Sequence, residues 1–281
     1  MMDSANTSKS SPNRLAIERV ERDAWLDIFV AVPSTYAAAA SVQSAKLDGC
    51  ALLAHSGIQI PEFNRAFGFN IDQPATGSQL DWAFDWLDAH ASPGWVFQLP
   101  PGEGATRVER WMKKRAFDRS GSGWAKFEYT PSAAPAISQT SGLEIREIDV
   151  NEAGSFGFVV AFGFGLPYSV VPWFSALVGR PGWRCYLAYD GTHPVACGAM
   201  YQATQWAWMG IDATLAPHRG RGAQTALINC RIAGGMNAGV TGFTAETGEP
   251  SPANMPSAHS YRNYMRAHFT KAYVRPNYSR A

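Results

Sequence analysis

Apolar positions along this chain follow two rhythms, every second residue and every third or fourth, and the rhythm switches repeatedly, as it does when strands alternate with helices. Arg14 to Val20 alternates as a strand would, whereas Glu21 to Val32 sets Trp25, Ile28, Phe29 and Val32 at helical spacing. An Ala-rich helix is expected from Tyr36 to Leu47. Strands are expected at Ala51 to His55, Phe63 to Phe69 and Trp95 to Leu99, and helices at Gln79 to His90 and Thr106 to Ala116, the latter with Val108, Trp111 and Met112 inward. Gly123 to Tyr129 reads as a strand closing this half.

Pro131 to Ser141 is rich in Pro, Ala and Ser and marks a linker, and Met1 to Asn13 has the composition of a disordered tail. Beyond the linker, Leu143 to Ile148 alternates as a first strand, followed by helical segments at Glu152 to Phe162 and Pro172 to Val178. Trp183 to Tyr189 and Pro194 to Thr204 flank Asp190-Gly-Thr-His193, a hairpin turn signal. The organisation is an α/β (α+β) pattern written twice, with a tail at 1–13, halves at 14–130 and 143–281, and a linker at 131–142.

Candidate chemistry concentrates between Trp206 and Gly239. An apolar strand, Trp206 to Thr214, enters the loop Leu-Ala-Pro-His-Arg-Gly-Arg-Gly222, and a helix runs from Ala223 to Asn237 with Ala226, Leu227, Cys230 and Ala233 on one face. A glycine-rich, arginine-bearing turn into a helix N-terminus collects free backbone N–H groups at the positive end of the helix dipole, which suits an anion. Gly220-Arg-Gly222-Ala-Gln-Thr225 has Thr where a dinucleotide-binding loop needs its third glycine, and no Gly-Lys-Ser or Gly-Lys-Thr triplet is present for a nucleoside triphosphate. The matching region of the first half, Asn70 to Ser78, carries no arginine and one glycine.

Arg219-Gly-Arg-Gly222-Ala-Gln224 resembles the pyrophosphate loop of the GNAT superfamily of N-acetyltransferases, with Arg219 at its first position and Gly222 at its small fourth one. Gln224 stands where that pattern has Gly or Ala. Tyr264 and Phe269 keep the spacing of the superfamily's next motif, with His268 in place of its glycine. The resemblance implies two GNAT-like domains, each a mixed, mostly antiparallel sheet flanked by helices, the N-terminal one degenerate. It implies acetyl-CoA held by main-chain groups of Asp212, Ala213 and Thr214 and by Arg219, Gly220, Arg221, Gly222, Ala223 and Gln224. It also implies Tyr264 as the acid for a departing thiolate, with Tyr261 as fallback.

For the base, Glu246 near the end of the next strand, Val240 to Thr247, and Asp212 opposite it are the candidates, since aminolysis of a thioester needs a neutral amine. The acceptor pocket is expected to draw on Pro167 to Trp173, Trp206, Trp208 and the face of the N-terminal half.

Composition narrows the alternatives. With 24 Lys plus Arg against 23 Asp plus Glu, nothing favours a nucleic acid or a membrane surface. Cys50, Cys185, Cys197 and Cys230 lack metal-site spacing, so buried free thiols and no metal are expected. The polar N-terminus is unlike a signal peptide, and a cytoplasmic monomer or homodimer acting on a small-molecule amine is expected. The competing readings are a non-catalytic acyl-CoA-binding module and the same fold using another acyl donor or decarboxylating an acyl group.

Overall fold

The computed structural model describes residues 11–134 and 142–280, so most of the expected tail and of the expected linker lies outside the described residues. Strands of the first half are β1 (Val42–Leu47), β2 (Cys50–His55), β3 (Arg65–Phe67), β4 (Val96–Gln98) and β5 (Phe117–Tyr129). Those of the second are β6 (Glu144–Glu147), β7 (Trp183–Asp190), β8 (His193–Ala203), β9 (Trp206–Thr214), β10 (Gly242–Gly248) and β11 (Thr270–Arg280). All join in an 11-stranded sheet of order β1-β2-β3-β4-β11-β5-β10-β9-β8-β7-β6. Pairing is antiparallel except at β3/β4 and β9/β10.

Helices cover both faces: α1 (Arg14–Val30), α2 (Ser34–Ala40), α3 (Gly77–His90), α4 (Ala105–Lys113), α5 (Ala153–Phe164), α6 (Val171–Ser175), α7 (Ala223–Asn237) and α8 (His259–Arg266). Strand alternation divides the core between the faces. On β2, Ala51 and Leu53 pack with α1, while Cys50 and Leu52 pack with α3 and α4. On β9, Trp208 joins the cluster containing α1 and α5, and Ala207 and Met209 join that of α7 and α8. Cys50, Cys185 and Cys197 are buried free thiols and Cys230 is half-buried.

The two parallel pairs share one plan. The crossover helix between β3 and β4 is α3, and that between β9 and β10 is α7. The strands that end each half then trade places. β5 pairs with β10 from Phe243↔Tyr129 to Gly248↔Trp124, whereas β11 lies between β4 and β5. Gly123 to Tyr129 therefore does not close the first half against its own strands, as its position in the chain suggested.

Several elements differ from the sequence reading. Arg14 to Val20 is helical, because Ile17, Val20, Ala24 and Ile28 continue one three-to-four spacing onto the buried side of α1. The helix expected through Leu47 stops at Ala40, where Ser41 turns left-handed, and β1 begins. Asp48 and Gly49, both at positive φ (47° and 84°), make the two-residue hairpin that returns β1 along β2. The buried face of α7 is also rotated from expectation, carrying Ile228, Arg231 and Ile232 and leaving Cys230 and Ala233 half-buried.

Candidate active site

β9 and β10 run side by side only from Trp206↔Gly242 to Met209↔Ala245. Past that point β9 stays with β8 up to Thr214↔Ala196, and β10 stays with β5 up to Gly248↔Trp124, so the two strands separate. A bulge drives the parting: Ile211 and Asp212 of β9 together oppose Gly198 of β8. Ile211 is held at φ 57°, a left-handed conformation costing a β-branched residue about 1–3 kcal/mol.

A buried triad sets the bulge. Arg231 of α7 is ion-paired with Asp212 and donates to the carbonyls of Ala199 (2.9 Å), Gly210 (3.3 Å) and Leu227 (3.1 Å). The Tyr264 hydroxyl donates to the other Asp212 oxygen at 2.6 Å. A side chain at position 198 would not fit, since its Cβ would lie 2.9 Å from the Arg231 guanidinium carbon and 3.0 Å from Asp212. Burial raises the Asp212 carboxyl above its usual range although Arg231 and Tyr264 pull it down. Burial opposes the charge of Arg231 too, yet Asp212 holds it above its ordinary value. Burial, and then Asp212, push the Tyr264 phenol well above its ordinary value.

Beside the bulge, Gly222 caps α7 in the left-handed conformation (φ 81°), with no side chain satisfying the helix start. The first helical bond is from Ala226 N–H to Gly222 C=O, so the amides of Ala223, Gln224 and Thr225 have no partner within the helix. They face a cavity of about 760 Å³ that Thr214, Arg219, Gly220 and Gly222 also line. His218, His259 and Arg266 add basic groups to its wall, and the one carboxylate lining it among the described residues, Asp212, is already paired. Net positive walls and free amides suit a multiply charged phosphate ligand. In the first half, by contrast, Thr76 caps the N-terminus of α3 by accepting from the Gln79 amide at 3.2 Å.

The loop arginines take different places. Arg219 donates to the carbonyls of Thr214 (3.1 Å) and Gly163 (3.2 Å) at the cavity rim. Arg221 pairs with Asp190 at 2.5 Å and does not line the cavity. The two departures from the motif pattern have local causes. Gln224 bridges α7 to α8, pairing with the Ser260 hydroxyl at 3.1 Å and accepting from Asn263 at 2.9 Å. His268 sits at φ 66°, where the pattern's glycine belongs. It ends α8 through bonds from His268 N–H to Met265 C=O and from Phe269 N–H to Tyr264 C=O.

Glu246 lies in a buried charge network that joins the halves. Lys126 (3.1 Å) and Arg275 (2.9 Å) donate to it, and Arg65 stands 3.7 Å away. Glu21 of α1 pairs with Lys126 and Arg275, and Glu18 receives Arg275 (3.1 Å) and the Tyr273 hydroxyl (2.6 Å). Burial works against the Glu246 charge, but Lys126, Arg65 and Arg275 hold its carboxyl down to about 2. Burial, with the Arg275 charge, lowers Lys126 to about 8.

A second cavity, about 360 Å³, lies where β9 and β10 part and shares Asp212, Gln224, Thr247, Gly248 and Ser260 with the first. Leu166, Phe174 and Trp208 line it from the second half, and Trp25, Phe63 and Trp124 from the first. Of the expected acceptor-pocket residues Trp208 is present, whereas Trp206 and the segment 167–173 do not line it. The reading of the sequence missed Arg231, Trp25 and Glu62. Arg231 left a trace as a single charge in its helix, and Trp25 as part of an apolar helical face.

No family model matches the chain, and no curated protein matches it. Solved structures do. A GCN5-related N-acetyltransferase from Kribbella flavida aligns over 93% of this chain and 95% of its own, with TM-score 0.59 and 13% identity. A putative acetyltransferase of the GNAT family from Novosphingobium aromaticivorans aligns over 95% and 99%, with TM-score 0.52 and 12% identity. A GCN5-related N-acetyltransferase from Sphaerobacter thermophilus shares 20% identity at TM-score 0.53 over 72% of this chain, which spans 65% of that protein's length. The chain has the fold of the GCN5-related N-acetyltransferases.

Proposed function

We propose that this chain, built on that fold, is an acetyl-CoA-dependent N-acetyltransferase that passes the acyl group directly to a small amine or amino-acid-like acceptor. The observation carrying the proposal is the uncapped start of α7 at Gly222, opening into a basic cavity beside the parted strands. The Ala223, Gln224 and Thr225 amides and Arg219 would hold the phosphates, and the free edge of β9 from Asp212 to Thr214 would pair with the pantetheine arm. Bound there, acetyl-CoA supplies an activated acyl group.

The remaining work falls to this chain's side chains. Tyr264 stays protonated across the neutral range, lines the smaller cavity and serves as the proton donor to the departing thiolate. Glu246 serves as an ionised anchor, because a carboxyl held near 2 is a weak base at neutral pH. Residues 14–130 and 143–281 act as two copies of one α/β unit, the first supplying one wall of the smaller cavity instead of a second phosphate loop; the capped start of α3 supports this.

Calorimetric titration with acetyl-CoA, repeated on Gly222→Glu, tests the proposal. One-to-one binding by the wild type and its loss in the variant are expected, since the substitution strains a left-handed position and sets a negative charge at the helix start. Equal binding by the variant sinks it. Binding with no transfer to any amine favours a non-catalytic acyl-CoA-binding module.

A further inference from the structure

We infer that the smaller cavity takes a compact aromatic primary amine without a carboxylate, and that Glu62 both anchors its ammonium and accepts its proton before transfer. This deepens the transferase proposal and rests on it for the chemical step. Three acidic side chains other than tyrosine line the cavity, Glu62, Asp212 and Glu246, and it is lined by no Lys, Arg or His among the described residues. Asp212 is paired with Arg231, and Glu246 with Lys126 and Arg275. Glu62, in the turn Pro61–Phe63 between β2 and β3, forms no ion pair among the described residues, and its carboxylate accepts from its own backbone N–H. Arg65 draws on the Glu62 charge, but that guanidinium lies 3.7 Å from Glu246 and packs on the ring of Trp25 at 4.5 Å.

A half-buried carboxylate without an ion pair, on the wall of a cavity that Trp25, Phe63, Trp124, Phe174 and Trp208 also line, can receive a cation, and the rings reward an apolar body that carries one. Burial raises the Glu62 carboxyl, against the pull of Arg65, and the Glu246 charge adds to the rise. That makes it a better proton acceptor than an ordinary carboxylate. With no lining cation to meet a second carboxylate, an amino acid is disfavoured. In the step itself the ammonium gives one proton to Glu62, and the freed nitrogen lone pair forms the bond to the acyl carbon. The carbon–sulfur pair leaves with sulfur, the thiolate takes the Tyr264 hydroxyl proton, and the second proton lost by the nitrogen restores that phenol.

Quenching of tryptophan emission by 2-phenylethylamine, ethanolamine and phenylalanine, measured on the full chain without acetyl-CoA, tests the pocket apart from transfer. 2-Phenylethylamine is expected to bind at least about tenfold more tightly than either comparator, and Glu62→Gln to weaken it about tenfold or more with thermal unfolding unchanged. Phenylalanine binding as tightly as 2-phenylethylamine, or Glu62→Gln binding like the wild type, overturns the inference. Should Glu62→Gln fail to fold, the wild-type comparison alone decides. Glu62-dependent amine binding without acetyl-CoA binding would leave the pocket assigned and refute the transferase proposal instead. Acetyl-CoA turnover by the wild type that Glu62→Gln leaves at full rate removes Glu62 as the proton acceptor.

Discussion

Replacing Arg231 with Met is the sharpest probe of how the bulge is held. Arg231 is fully buried and its partner Asp212 is 10% exposed, so the variant leaves an ionised carboxylate in the interior with only the Tyr264 hydroxyl to meet it. Breaking a buried pair from one side costs about 3–5 kcal/mol, and at this chain length each kcal/mol moves the unfolding midpoint by roughly 2 °C. The Ala199 and Gly210 carbonyls also lose their side-chain donor, which places the estimate toward the upper end.

Urea denaturation at neutral pH, followed by far-UV signal, is the assay, with the slope checked for constancy. The double variant Arg231→Met/Asp212→Asn removes the stranded charge and is expected to regain about 1–3 kcal/mol over the single one. A pH series adds a sign. With Arg231 gone, Asp212 loses its main depressing neighbour, so its folded carboxyl rises further above its unfolded value. Such a group contributes stability below the unfolded value that is lost as pH rises through the folded one, so the deficit should be smallest near pH ~4 and largest at neutrality. A single variant within about 1 kcal/mol of wild type, or a double variant no more stable than the single, would refute the assignment of the triad as the brace of the bulge.

Three further outcomes follow from the same geometry. Lys126, Arg65 and Arg275 hold the Glu246 carboxyl well below its ordinary value, so the wild type should lose stability as pH falls below about 4.5, a window in which Glu246→Gln runs flatter; parallel curves would count against the charge network. His268→Gly relieves a left-handed backbone at φ 66° and should raise stability by about 0.5–1 kcal/mol in thermal unfolding, whereas destabilisation would mean the imidazole itself matters. Arg219→Ala should weaken acetyl-CoA binding about tenfold by calorimetry, and Arg221→Ala, tied to Asp190 away from the cavity, should change it far less; the reverse order would relocate the phosphate site.

What the amino-acid sequence determined by itself is local. The helix from Ala223 to Asn237 appears with the expected bounds, because its spacing of apolar residues and the left-handed Gly222 before it act within a few turns of chain. The hairpin at Asp190 to His193 and the basic loop ahead of α7 were legible for the same reason. Where a short window misled, at Arg14 to Val20, a longer one shows the helical repeat.

Only the tertiary structure decided which distant residues share the site. Tyr273 and Glu18 are 255 residues apart in the chain yet share a hydrogen bond, because β11 enters the sheet between β4 and β5. That insertion brings Arg275 to Glu246 and sets a carboxylate named as a candidate base inside a buried charge network. Glu62 became visible in the same way, when the turn after β2 came to rest against the mouth between β9 and β10. Periodicity reports which side of an element is buried; it carries no record of which partner, many residues away, will meet that side, and a carboxylate's behaviour depends on that partner.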